Sequence, residues 1–323
     1  MKKSIGIDVS MNTVDVVRYD GKFTKNTQYK NTVEGFQKLE DEISKGDTSE
    51  TIITMEATGI YHLQAAYYFS EKGYTVSVVN PLIIKRYSEM KMLRAKTDSV
   101  DARTIAEYGF HEKPWYFIQK DDGRDHIVQL LKQIDALHAM QTENRNRLHA
   151  LQRIPHADIR TLEIYQEIDT MLKRKEQEAE QRIDTIANEL YADVYKSLLD
   201  IPGVGKRLAA LILGFFGEFE NFNNAKQVSS FIGLNPSANQ SGVSVHGRGV
   251  ISKKGNRYMR KIFYMAALSA KKYNKTCKEQ YDRLLSNGKC KKVALVAVAN
   301  KLARQIFAIV KNGMIYDPWY QKI

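Results

Sequence analysis

Hydrophobic positions in the first 110 residues switch between two periods. Ser4–Val9 is a short apolar run, and Thr13–Tyr19 alternates around Val14, Val16 and Val17, so both read as strands. After an Asp20-Gly21 turn, Lys22–Tyr29 reads as a third strand, completing a meander. Val33, Phe36, Leu39 and Ile43 then recur at helical spacing over Val33–Ser44. Thr51–Met55 is a buried strand, Tyr61–Lys72 an amphipathic helix stopped by Gly73, and Tyr74–Val79 a strand closed by Asn80-Pro81. Asp98–Phe110 is helical, with Val100, Ile105 and Ala106 facing inward.

Three strands followed by alternating helices and strands is the order expected of an α/β, RNase H-like sheet. The middle of the chain changes character. From Asp125 to Leu151, apolar residues recur at Leu130, Ile134, Leu137, Leu148 and Leu151. Pro155 breaks the run, and a second stretch from Arg160 to Leu190 carries Tyr165, Ile168, Leu172, Ile183, Ile186 and Leu190. Each covers three or four heptads with polar residues such as Gln141 and Lys175 on the stripe, which suits a helical hairpin or an intermolecular coiled coil. Further on, Tyr258–Lys271 and Lys292–Val310 are helical, separated by a basic connection. The expected organisation is an RNase H-like domain over 1–118, a coiled-coil or helical oligomerisation segment over 119–195, and a mostly α domain over 196–323.

Composition is that of an ordinary soluble globular protein, 43% hydrophobic and 27% charged. No uninterrupted apolar run approaches a membrane span, and Asp8 interrupts the N-terminal apolar stretch too early for a signal peptide. Cys277 and Cys290 are too few for a disulfide framework, which fits a reducing cytoplasm. Charge is unevenly placed. Between Lys206 and Gly313, 20 Lys and Arg face four acids, an excess larger than the +12 of the whole chain, so the remainder is net acidic. A basic C-terminal part suits a polyanion such as nucleic acid; the alternative is a solvated basic surface.

Four carboxylates carry the candidate chemistry. Asp8 ends one apolar strand and Glu56 another, while Asp98 and Asp101 lie at a helix start in Lys-Thr-Asp-Ser-Val-Asp-Ala-Arg. Asp98 and Asp101, three residues apart, share a helix face. Oxygen ligands of this kind take hard divalent cations, and two such ions about 3.5–4 Å apart clamp the attacking and leaving oxygens of a phosphodiester. Singly, each acid has a structural alternative: Asp98 as a helix cap, Asp8 capping a turn, Glu56 as an exposed strand end.

The C-terminal part adds two features. Leu-Asp-Ile-Pro-Gly-Val-Gly-Lys-Arg-Leu-Ala, with Gly203 and Gly205 ahead of Lys206 and Arg207, has the form of a helix-hairpin-helix, whose amides bind phosphate without reading bases. An ordinary helical corner needing glycine for packing is the alternative. Asn235–Gly255 reads as an acid-free loop with four glycines, and Arg248, Lys253, Lys254 and Arg257 supply charge in and just after it. A serine there is either a linker residue or a nucleophile for a phosphodiester.

Together, Ile-Gly-Ile-Asp-Val, Met-Glu-Ala-Thr-Gly, Lys-Thr-Asp-Ser-Val-Asp-Ala, Ile-Pro-Gly-Val-Gly and Ser-Gly-Val-Ser-Val-His-Gly-Arg-Gly resemble the DEDD transposases of bacterial insertion sequences, the bridge-RNA-guided recombinases. The resemblance spans nearly the whole chain, in order. It implies a RuvC-like N-terminal domain, a coiled coil and a C-terminal transposase domain. By its alignment Asp8, Glu56, Asp98 and Asp101 form an acidic tetrad for Mg²⁺, with Mn²⁺ as substitute, and Ser241 is the catalytic serine, Ser244 being a less favoured substitute. The implied activity cuts and exchanges strands of donor and target DNA through a serine–DNA linkage. The implied partners are a structured guide (bridge) RNA and further copies of the chain, dimers assembling to a tetramer. The implied setting is the nucleoid of a bacterial cytoplasm.

Neighbouring residues offer supporting roles: Arg94 and Lys96 at the scissile phosphate, Thr58 and Gly59 at the metal rim, and His246 and Arg248 beside the serine. Tyr258, the tyrosine nearest the loop, reads as core or DNA-facing. Competing functions are a Mg²⁺-dependent, structure-selective endonuclease using water, a non-catalytic nucleic-acid scaffold, and an actin-like ATPase, whose phosphate loop Val9-Ser10-Met11-Asn12 matches poorly.

Overall fold

The computed structural model describes residues 3–43, 48–57, 59–92, 98–112, 114–117, 119, 121–237, 240–241, 245–246, 250–251 and 255–319. The chain forms two compact units, Met1–Gln119 and Lys120–Ile323.

The first unit is a mixed five-stranded sheet with helices on both faces. Its strands β1 (Lys3–Val9), β2 (Thr13–Tyr19), β3 (Thr27–Lys30), β4 (Thr51–Glu56) and β5 (Thr75–Val79) stand in the order β3-β2-β1-β4-β5. The first three pair antiparallel, and β4 and β5 join parallel to β1. Helices α1 (Val33–Ile43) and α2 (His62–Glu71) bring Phe36, Leu39, Ala65, Ala66 and Phe69 onto Ile5, Ile7, Ile53 and Met55. Helix α4 (Asp98–His111) covers the opposite face, joined by α3 (Pro81–Met90) through Ile84 and Ile105.

Two expectations in this unit are corrected. The third strand begins at Thr27, not Lys22; before it only the isolated Tyr19–Phe23 bridge forms. Asn80-Pro81 starts a helix as well as closing a strand. Proline lacks the N–H that a first helical residue would leave unbonded, and the Asn80 side chain caps α3 by accepting from the Leu82 amide at 2.9 Å.

The second unit is helical. Helices α5 (Asp122–Leu151) and α6 (Ile159–Leu190) pair with each other as an antiparallel hairpin. Near its base Ile127, Leu131, Ile134, Ile183 and Ile186 join the core of the C-terminal helices. Away from the base the stripe turns polar: buried Gln141 donates to Glu176 at 2.9 Å, buried Asn144 donates to the Tyr165 carbonyl at 2.8 Å, and Arg145 pairs with Asp169 at 2.9 Å. The core is completed by α7 (Ala192–Leu199), α8 (Lys206–Phe216), α9 (Ala225–Ile232), α10 (Arg257–Tyr273), α11 (Lys275–Ser286) and α12 (Lys291–Asn312).

The expected basic connection between the last two helices is largely α11. Only Cys277 and Tyr281, one turn apart, are buried along it, too thin a stripe to betray a helix, and the Asn274 side chain caps it. Helix α9, likewise unforeseen, is capped by Asn224. Among the described residues no uninterrupted apolar run reaches the length of a membrane span, and Lys301 and Arg304 interrupt the nearest approach to one. Helix α12 has the length and apolarity of one, with mean hydropathy 1.7, but half of that stretch is packed into the core.

Between α9 and α10 the chain is not simply a loop. Strands β6 (Pro236–Ser237) and β9 (Val250–Ile251) pair antiparallel, as do β7 (Gln240–Ser241) and β8 (Val245–His246). These two nested pairings make a hairpin ribbon.

Candidate active site

Asp8 and Glu56 are neighbours. Parallel pairing of Ile7 with Met55 brings the next residues of both strands side by side, on backbones about 4.8 Å apart. Alternation puts Asp8 on the face of Gly6, and Glu56 on the face of Thr54. Helix α4 crosses that face closely. A Cβ on Gly6 would overlap the Ala102 carbonyl and the Ala106 backbone, and one on Gly109 would overlap Thr54 and Ser4 side chains. Glycine is therefore required where the helix touches the sheet.

These contacts fix the direction of α4. Ala102 lies over Gly6 and Gly109 over Ser4, so the helix runs back along β1 and begins at the strand's C-terminal end. Gly6 to Asp8 is about 6.6 Å along a strand, and Ala102 back to Asp98 about 6 Å along a helix. The first turn of α4 thus stands level with Asp8. Asp8, Glu56 and Asp101 are all half-buried, and each already has partners. The Asp98 side chain lies outside the described residues, as do Thr58, Arg94 and Lys96. Among the described residues no three Asp, Glu, His or Cys side chains close around a common point. The donor chemistry, carboxylate oxygens on one rigid rim, fits a hard divalent cation.

Two residues at this rim escaped sequence reasoning. Asp15 pairs directly with Asp8 across β1 and β2, is almost fully buried, and accepts from Asn26 Nδ2 at 2.8 Å and Gln28 Nε2 at 3.0 Å. An acid inside an apolar alternation was the available signal. Asn31, also buried, donates from Nδ2 to the carbonyls of Ser10 (2.9 Å), Met11 (3.4 Å) and Tyr61 (3.3 Å). It ties the segment after Asp8 to the segment after Glu56, a relation no local pattern displays.

In the second unit, Gly203 and Gly205 join α7 to α8. Gly203 has φ +101°, and a Cβ there would stand 2.5 Å from Ala270 Cβ, so its role is turning and packing. Gly205 opens α8 with nothing near its Cβ position. Lys206 is bonded to Asp184, and half-buried Arg207 lies 3.3 Å from His138 Nδ1 and 3.8 Å from Asp135. Both cations are thus engaged by the α5–α6 hairpin. The Tyr258 hydroxyl donates to the Leu131 carbonyl at 3.2 Å, and burial raises its pKa. That tyrosine is a packing residue.

Ser241 pairs with Val245. Its side chain, that of His246, and residues Ser244, Arg248, Lys253 and Lys254 lie outside the described set. At the foot of the ribbon Gly255 (φ +106°) packs where a Cβ would meet the Phe231 carbonyl at 2.6 Å, and Arg257 begins α10 exposed.

Two family profiles match the chain: a transposase profile of the DEDD type over residues 5–154, and that of the transposase IS116/IS110/IS902 family over 195–282. The pilin gene-inverting protein of Moraxella lacunata is 28% identical over 319 residues, covering 98% of both chains. The putative transposase y4pF/y4sB of Sinorhizobium fredii is 25% identical over 83% of this chain and 75% of its own. The transposase of insertion sequence element IS1328 from Yersinia enterocolitica is 22% identical over 82% and 85%. A carboxylate rim at the sheet end and a serine-bearing ribbon occur here in a chain matched by both profiles, and the chain belongs to the IS110-type DEDD transposases, enzymes that recombine DNA.

Proposed function

We propose that this protein is an RNA-guided DNA recombinase that cuts and rejoins strands through a covalent serine–DNA intermediate. The observation that carries it is the meeting of Asp8, Glu56 and the first turn of α4 at one end of the mixed five-stranded sheet. Asp8, Glu56, Asp98 and Asp101 would hold Mg²⁺, or Mn²⁺ in its place. When bound, the ion supplies charge stabilisation at the phosphodiester oxygens.

The residues of the chain do the rest. The Ser241 hydroxyl gives up its proton and its oxygen forms a bond to phosphorus, while the displaced deoxyribose oxygen leaves and takes a proton. Rejoining reverses this, with the hydroxyl of the incoming strand displacing Ser241. The same exchange serves insertion at a new site or inversion between two sites, the latter named for the Moraxella relative. Assembly of dimers into a tetramer, in which the serine of one copy completes the acidic rim of another, and choice of donor and target by a guide RNA extend the family resemblance. The basic C-terminal part supports nucleic-acid contact in the bacterial nucleoid.

The test is co-expression with the non-coding DNA flanking the gene, followed by denaturing electrophoresis. Wild-type protein should carry covalently attached DNA, and Ser241→Ala should not. Metal-dependent nicks without attached protein would replace this reading with hydrolysis by water. Absence of a structured RNA from the flanking DNA would remove the guide.

A further inference from the structure

A groove of about 860 Å³ lies between α10 and α12 at the foot of the ribbon. Arg257, Arg260, Lys261 and Tyr264 line it from one face of α10, and Lys292 faces them from α12. Ile251 of β9 closes the end from which the ribbon rises. No acid lines it. Lys261 pairs with Asp135 at 2.9 Å and Arg260 donates to the Ile232 carbonyl at 3.3 Å. Among the described residues, Arg257 and Lys292 have no acid partner.

The cations are also placed against the helix dipoles. Arg257 opens α10, Lys291 and Lys292 open α12, and neither helix has an acid in its first turn. The N-terminal end of a helix favours negative charge and disfavours cations. A groove built this way is unfavourable for the free protein and complementary to an anion. From Arg257 to Tyr264 is about two helical turns, or roughly 11 Å. At 3.4 Å per nucleotide along one strand this accommodates about three nucleotides.

We propose that this groove holds the sugar-phosphate backbone of one DNA strand beside the scissile position. Gly255 packs the ribbon's foot against the end of α9, and Asn256 N donates to the Phe231 carbonyl at 3.3 Å, so groove and ribbon share one anchor. Five residues of chain from Pro236 reach at most about 18 Å, which keeps Ser241 within roughly five nucleotides of the groove. The proposal rests on the reading that the second unit handles the recombined DNA, but binding needs neither serine nor metal.

The test is fluorescence anisotropy of the full chain with a labelled 20-nucleotide single-stranded DNA over a salt series, in the Ser241→Ala background so that no covalent step contributes. Arg257→Gln with Lys292→Gln should weaken binding about tenfold or more and flatten the log–log salt slope by about 1.4, two single-strand phosphate contacts. Removing the same charge at exposed Lys22 and Lys38 should do much less. The groove variant should melt no lower than its parent without DNA, which excludes unfolding as the cause. A loss no greater than that of the control pair overturns the proposal. A larger loss for RNA of the same sequence than for DNA overturns the assignment to a DNA strand.

Discussion

Asp15 stands directly across the β1–β2 ladder from Asp8, on the same face of the sheet, its carboxylate held by the Asn26 and Gln28 side-chain amides. The two acids answer to different demands. Removing the Asp15 carboxylate leaves the half-buried Asn26 amide without its partner, at about 1–3 kcal/mol, while the exposed Gln28 amide turns to water. Asp15→Ala should therefore lower the unfolding free energy by that amount, read as a lower urea midpoint at unchanged m-value. Asp101→Asn should stay within about 1 kcal/mol of the parent in the same experiment. Strand exchange should instead fall by about 10²–10³, the scale for losing one placed charge contact in a transition state.

Asn31 ties the segments that follow Asp8 and Glu56 through three carbonyl contacts. Asn31→Ala should raise the Mg²⁺ concentration needed for half-maximal strand cleavage by about 10–100-fold, the usual scale for outer support of a metal site. Mn²⁺ binding followed by electron paramagnetic resonance should weaken in parallel. Unchanged metal affinity would mark Asn31 as a purely structural tie.

The two turn glycines should separate sharply. Gly203→Ala meets Ala270 and holds a side chain at positive φ, costs that together exceed about 2 kcal/mol. Gly205→Ala enters open space at an ordinary φ of −95° and loses only the preference of a helix cap, about 1 kcal/mol or less. Thermal melts of the two variants check the contrast.

Cys277 is buried, and burial pushes its thiol up from 9.0 to about 12, while Cys290 is exposed. Ellman's reagent at pH 8 should label one thiol per folded chain and two in denaturant. The raised folded value means the native state keeps its proton where the unfolded state has lost it. Cys277 thus contributes stability fully below pH 9, and that contribution fades as pH rises toward 12. Cys277→Ala should flatten this part of the stability profile.

Much of the first unit was legible because each strand and helix declares itself locally: alternation at Val14 and Val16, a 3.6-residue rhythm at Phe36 and Leu39. The acids at strand ends followed from where apolar runs stop. Helix α3 was hidden because Asn-Pro serves both to end a strand and to begin a helix. Helix α11 was hidden because only two of its residues reach the core. The pairing of Asp15 with Asp8 and the reach of Asn31 depend on register between distant segments, which no local window contains. Lys206 and Arg207 looked like free charge, and only the fold brings Asp184, Asp135 and His138 to them.

The seat of α4 on Gly6 has a consequence for how such a chain can vary. The helix start is set by direct contact between two backbones rather than by the connection that leads into it. Chain length between Met92 and Asp98 is thereby released from any duty in aligning the acids. Insertions or deletions there should leave the rim intact, whereas a single methyl group at residue 6 should dismantle it.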